Sequence, residues 1–286
     1  LINLSAETSW VGALVKQSSV VHKLEIGLQK NGRNPKINGK TVKKLSQFLG
    51  HLRVVLFTPE ELGNIKGFPA GRRALLDRAI LQTEPTYLDR VQEYERNLRQ
   101  RNQLLKKLAG EAELVPWTEA LVRTGSKIRY ERQLYLERLR PHLCHVYQEI
   151  TGGKESAGLN YSVAFKSQEE ITTQLITDFE RLASREKKLG LTLVGPHRDD
   201  LDFLVDERSL RAFGSQGQQR SFLLAFKAAQ VMDQEKQFSE PPILLLDDLA
   251  SELDSRRQEG FFDFLLQRRG QVFMTSAQQP LLADKV

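Results

Sequence analysis

The segment that most constrains this chain is Pro241–Asp254, PPILLLDDLASELD. Four apolar residues that stop at two consecutive acids describe a strand buried on both faces, whose carboxylates emerge at its C-terminal edge. Open α/β sheets bind their ligands at that edge. Asp247 stands where it can hold a magnesium ion, and Asp248 where it can orient or deprotonate an attacking water. A helix pattern after Ser255 and a further strand at Gln271–Thr275 continue the alternation, and a helical pattern after Gln216 precedes it. The C-terminal third therefore reads as an α/β core with a parallel sheet.

A second element opens that preceding helix. Ser215–Arg220, SQGQQR, combines a serine hydroxyl, a glycine that lets backbone approach closely and fresh helix N-terminal amides, together an anion site. Gln216 lies inside it, and Gln218, Gln219 and Arg220 add donors. An ordinary N-cap by Ser215 is the plainer reading of the same residues.

The N-terminal third has a different character. Val21, Leu24, Ile26 and Leu28 tend to alternate with polar residues, and Asn38-Gly39 supplies turn chemistry, so a small antiparallel sheet is expected. Arg53–Phe57 reads as a short buried strand that stops at Pro59. Charge concentrates here. Residues 16–53 hold nine Lys and Arg against Glu25 alone, a local +8 in a chain whose net charge is +6. Lys36, Lys40, Lys43 and Lys44 belong to this run, which either attracts a polyanion through counterion release or keeps sheet edges soluble. Arg72 and Arg73 are either further contacts to that polyanion or partners for Asp77 on one helix.

Between these parts, apolar residues at Val91, Tyr94, Leu98, Leu105 and Leu108 keep a helical spacing in which Arg101 fills the one missing place. After a linker containing Pro116, a second helical pattern runs from Leu136 to Ile150 before Gly152 and Gly153 break it, and Pro141 is expected to kink or split it. An antiparallel helical arm inserted into a larger domain follows. The expected organisation is 1–86, 87–185 and 186–286. His197, Arg198, Asp199 and Asp200 form a polar cluster after LTLVG, read as a strand, where they either line the site or stabilise a turn.

Composition excludes several classes. With 40% hydrophobic and 27% charged residues the chain is not disordered, and no apolar stretch approaches the roughly 18 residues of a membrane span. One cysteine, Cys144, allows neither an intramolecular disulfide nor a cysteine zinc site, which suits a cytoplasmic protein.

SQGQQR followed by LLLDDLASELD resembles the bacterial RecF family of recombination mediators, relatives of ABC-type and SMC ATPases. FTPEEL (57–62), GFPAGRRALLD (67–77), PTYLDRVQEYERNLRQRNQLL (85–105) and GPHRDDL (195–201) resemble RecF segments in the same order. The resemblance implies an ABC/SMC-like ATPase head, a mixed sheet with flanking helices, carrying an inserted helical arm. It implies that Ser215 and Gly217, with Gln216 and Gln218, form a signature motif facing the γ-phosphate of ATP held by the opposite subunit. Asp247 becomes the Mg residue, and Asp248 takes the place of the Glu in ABC relatives. Ser251 to Asp254 become the loop at the dimer seam, and Thr275 or Ser276 falls where transporters keep a switch histidine. The implied function is ATP-driven dimerisation on DNA in gap repair, RecA loading with RecO and RecR, replication restart and SOS induction; a non-catalytic DNA-binding clamp or scaffold is the alternative.

The family's phosphate loop is missing from these residues. Gly27–Asn34, GLQKNGRN, has the glycine spacing but lacks the Lys and Ser/Thr, and reads as a hairpin turn. The start without Met is read as truncated, and the expectation is that these residues alone hydrolyse ATP poorly or not at all.

Overall fold

The computed structural model describes residues 2–275 except 4, 5, 18, 31, 166, 248–254 and 269, and of residues 255–257 the backbone alone. Strands β1 (Thr8–Gln17), β2 (Val20–Gln29), β3 (Gly32–Ile37) and β4 (Lys40–Thr41) form one antiparallel sheet in chain order. Asn38 and Gly39 join the last two with φ of 51° and 79°, the pair of left-handed residues that a type I′ hairpin requires. Gly27 and Gly32 lie in the paired β2 and β3, so GLQKNGRN is a hairpin. Apart from Leu24, the side chains of this sheet are exposed or half-buried.

After α1 (Leu45–Leu49), β5 (Val54–Phe57) enters a parallel sheet with the later β9 (Ile243–Asp247) and β10 (Val272–Thr275), in the order β10-β9-β5. Phe57 pairs with Leu246, and Asp247 with Thr275, so the strands end level with one another. Helix α9 (Ser255–Leu266) connects β9 to β10. Helices α2 (Glu61–Lys66) and α3 (Pro69–Thr83) follow β5, and α8 (Gln216–Phe238) leads into β9. Phe222, Leu223, Leu224, Ala225 and Phe226 of α8 are all buried, which makes it the central helix of the molecule.

Helices α4 (Tyr87–Lys106) and α5 (Glu111–Thr151) form the expected antiparallel pair, and α6 (Gln168–Leu189) packs beside them. Two details differ from expectation. Pro116 lies inside α5, leaving only Lys107–Gly110 as the connection, and Pro141 does not split the helix. A mid-helix proline removes one hydrogen bond and crowds the preceding turn. Here Leu136, Leu139, Leu143 and Tyr147 are buried on both sides of it, and Tyr147 packs at 5.9 Å from Phe222 of α8, so tertiary burial holds the helix together. One hydrophobic cluster consequently runs through 1–86, 87–185 and 186–286.

A third sheet, β6 (Ala157–Tyr161), β7 (Leu201–Val205) and β8 (Arg208–Ser209), is antiparallel, and α7 (Leu210–Phe213) leaves it toward α8. The LTLVG segment is not a strand. Side chains meet its central backbone groups instead: the Thr192 N–H donates to Asn102 Oδ1 (2.8 Å), the Leu193 N–H to Glu186 Oε1 (2.6 Å), and the Thr192 carbonyl accepts from Arg198 (3.3 Å). With those groups occupied, no ladder partner is needed.

Candidate functional site

The N-terminus of α8 is exposed at the surface. Ser215 caps it, with its hydroxyl accepting from the Gln218 N–H (3.1 Å) while Gln218 Oε1 accepts from the Ser215 N–H (2.9 Å), a closed capping box. The Ser215 proton stays available for donation, and the Gln216 and Gly217 amides head the helix toward solvent, with Ser215 and Gln216 exposed. Gly214 fixes the approach, since a Cβ there would stand 2.5 Å from Leu210 Cδ1. Gln219 is turned away and donates to the Gly214 carbonyl (2.8 Å). Gln218 is tethered from outside the motif: its Nε2 donates to Glu155 Oε1 (3.0 Å), and Tyr147 donates to Glu155 Oε2 (2.7 Å). Sequence reasoning passed over Glu155, and no local pattern marks it.

Asp247 ends β9 with its side chain exposed, and Thr275, its register partner on β10, donates a hydroxyl hydrogen bond to its carboxylate. Strand register thus unites the metal candidate with Thr275, one of the two residues that the resemblance sets at the switch-histidine position. Asp248, Ser251, Asp254 and Ser276 lie outside the described residues. Among the described residues no group of three or more His, Cys, Asp and Glu could hold a metal by side chains alone. One carboxylate with a neighbouring hydroxyl is a hard-oxygen set that fits Mg²⁺, which takes one or two carboxylates and completes its shell with water and substrate phosphates.

The basic residues divide. Lys40 and Lys43 are exposed and Lys36 is half-buried on β3; exposed Lys44 reaches Asp89 at 3.4 Å. Arg72 is corrected on both counts. It is 1% exposed, its Nε and Nη2 engage the Asp200 carboxylate (2.9 and 2.8 Å), and its Nη1 donates to the Ile65 and Gly67 carbonyls. With four of its five N–H donors occupied and the side chain buried, this arginine presents no fork to a phosphate. Its partner is Asp200, because Asp77 is taken by Arg132 (2.9 and 3.0 Å) and Tyr87 (2.6 Å). Arg73 is half-buried and donates to the Asp199 carbonyl (2.6 Å).

Comparison with known proteins bears on this arrangement. No protein-family model matches the chain. It is 52% identical over 246 residues to the DNA replication and repair protein RecF of Syntrophotalea carbinolica, covering 86% of this chain and 68% of that protein. The RecF of Geotalea daltonii is 38% identical over 291 residues, covering 100% of this chain and 80% of the relative. The chain belongs to the RecF family. A solved structure of the recombination mediator RecF-ATP in the RecFOR pathway superposes with a TM-score of 0.88 at 30% identity, over 98% of this chain and 78% of that one. The fold is therefore the RecF fold, a mixed α/β arrangement of sheets and flanking helices.

Within this RecF-family chain the GPHRDD segment works as a staple between α3, α4, α5 and β6. Asp199, 3% exposed, receives Arg129 (2.6 Å) and the Tyr161 hydroxyl (2.6 Å). The Pro196 carbonyl accepts from Arg132 (2.8 Å), and His197 Nδ1 meets the Tyr94 hydroxyl at 2.7 Å. Burial holds the His197 pKa down to about 4, and it pushes the Tyr94 and Tyr161 hydroxyls up. Of the two readings of this cluster, the turn-stabilising one describes the geometry. The FTPEEL block has a comparable use. Glu61, 6% exposed, pairs with Lys227 of α8 (2.8 Å) and Arg78 of α3 (3.2 Å).

Proposed function

We propose that this chain is an ATP-dependent, DNA-binding recombination mediator of the RecF type, cytoplasmic, working as a dimer of two copies closed by nucleotide. In this reading it acts with RecR and RecO in RecA loading, gap repair, replication restart and SOS induction. Support comes from the relatives, whose names place them in DNA replication and repair and in complex with ATP. Among the described residues no helix is long and apolar enough to cross a membrane.

One observation carries the two-copy arrangement. Only four residues, 239–242, separate α8 from β9, a connection short enough to turn the chain back and set Ser215 and Asp247 toward the same end of the molecule. The 23 residues of α8 rise about 34 Å. The five residues of β9 rise only about 16 Å. Ser215 therefore overshoots Asp247 by roughly 18 Å. At such a separation we read the site as shared between two copies, which facing each other would set the Ser215 end of one over the Asp247 end of the other.

In that pairing Asp247 would hold Mg²⁺ with help from Thr275, and the bound ion would neutralise charge on the phosphate oxygens. Ser215 would donate its hydroxyl hydrogen to the terminal phosphate, and the Gln216 and Gly217 amides would add the positive end of the helix dipole. Asp248 is proposed to orient the attacking water, with Ser251 and Asp254 at the seam. Lys36, Lys40, Lys43, Lys44 and the outer edge of Arg73 are proposed to meet DNA phosphates.

The test is ATP hydrolysis by the full-length protein, with and without duplex DNA, for wild type, Asp247→Ala and Ser215→Arg. DNA-stimulated turnover that falls about 100-fold or more in both variants, with ATP-driven dimerisation lost in Ser215→Arg, is the expected result. Unchanged dimerisation in Ser215→Arg overturns the two-copy site.

A further inference from the structure

Helix α4 closes with an unusual residue. Its end is a Schellman turn, in which the Ala109 N–H donates to the Leu104 carbonyl (3.1 Å) and the Leu108 N–H to that of Leu105 (3.1 Å). The turn needs one left-handed residue, and Leu108 supplies it at φ 56°. A side chain in that conformation costs about 1–2 kcal/mol, which glycine avoids. Burial does not offset the strain, because Leu108 is 80% exposed. The neighbouring helix α6 ends in the same conformation with Gly190, φ 63°. A strained side chain held in water is the kind of local conflict that marks function.

The two helix ends form one tip. A Cβ on Gly190 would stand 3.4 Å from Lys106 Cγ, Arg101 of α4 pairs with Glu186 of α6 (2.7 Å), and Asn102 accepts from Thr192 (2.8 Å). Leu189 and Leu191, which flank Gly190, and Leu108, two residues past Lys106, are exposed on these two helix ends, as are Lys106, Lys107, Lys187 and Lys188. The acids nearby are Glu111 and Glu113, the latter tied to the Gly110 N–H at 3.1 Å. Lysines at helix C-termini offset the macrodipole, but that accounts for none of the leucines.

We infer that this tip docks a partner protein whose face offers an apolar pocket rimmed by carboxylates. Three exposed leucines and four exposed lysines on one pair of helix ends have the mixed apolar and charged character of a protein interface. Nucleic acid would answer the lysines and offer no pocket to Leu108. A bilayer would answer both, yet interfacial anchors bury a whole apolar helix face, and here only two turns are apolar.

The choice of probe rests on the pathway reading above. Binding of purified RecR and RecO from the same organism to the full-length protein is measured for wild type, Leu108→Gly and Lys107→Glu/Lys188→Glu. Leu108→Gly relieves the backbone strain, so its thermal midpoint stays level or rises, while affinity for RecR or RecO falls about tenfold or more. The lysine reversals weaken the same complex. Wild-type affinity for both partners in Leu108→Gly overturns the docking surface and leaves the pathway reading intact. Weakened binding of duplex DNA or phosphatidylserine vesicles in its place overturns it too. Wild-type protein that binds neither RecR nor RecO removes the pathway reading, and the proposal with it.

Discussion

Two charged motifs sit on opposite sides of a physical divide. At the Ser215–Asp247 end, Ser215, Gln216 and Asp247 are exposed to water, and their side-chain hydrogen bonds among the described residues are a helix cap and one strand-register hydroxyl. At the GPHRDD end, Asp199, Asp200 and Arg72 are paired within the protein, and Asp199 and Arg72 are almost entirely removed from water. The sequence offers both as strings of acids, bases and turn residues. Whether such a string binds something or holds the protein together depends on whether its partners come from the same chain.

The contrast predicts different failures. The largest effect belongs to Arg129→Ala, which leaves the Asp199 carboxylate buried with an incomplete set of partners and should destabilise the protein by about 3–5 kcal/mol in urea unfolding. Ser215→Ala, which removes only an exposed cap, should cost about 1 kcal/mol. Equal losses would erase the distinction between staple and site.

Arg101 and Glu186 sharpen the same point. Arg101→Met alone strands the buried Glu186 and should cost about 3–5 kcal/mol, whereas Arg101→Met with Glu186→Gln, which removes the charge but keeps an acceptor for the Leu193 N–H, should recover much of that loss. Additive losses in the double variant would mean that the two side chains are not energetically coupled.

A third effect is set by pH. The His197 imidazole titrates near 6.5 when unfolded but near 4 in the fold, because burial disfavours its charged form. The unfolded chain therefore binds the extra proton between those values, and stability is full above pH 6.5 and falls as pH drops toward 4. The loss from pH 7 to 5 should be about 2 kcal/mol and should shrink by that amount in His197→Gln, measured by denaturant midpoints.

The smallest effect on stability comes from the surface lysines. Reversing Lys36, Lys40 and Lys43 should change stability by less than about 0.5 kcal/mol each. If they meet phosphates, each reversal should lower the salt slope of DNA affinity by about one. A slope that does not move returns these lysines to the role of a soluble sheet edge.

Local patterns determined much of this molecule. Alternation and Asn38-Gly39 specify the first sheet, the apolar run ending at Asp247 specifies β9, and Ser215 with Gln218 specifies the start of α8, because capping, turn chemistry and periodicity act over a few residues. The tertiary structure alone decided that Pro141 stays within α5, that LTLVG is held by side chains and that Arg72 is buried on Asp200, 128 positions away. It likewise paired Arg101 with Glu186, Glu61 with Lys227, and Gln218 with Glu155. An ion pair or a tether across such separations leaves no periodic trace, since the free energy depends on burial and geometry that exist only after the chain has folded. Sequence thus shows where charge stands, and only the fold decides which charges are already answered.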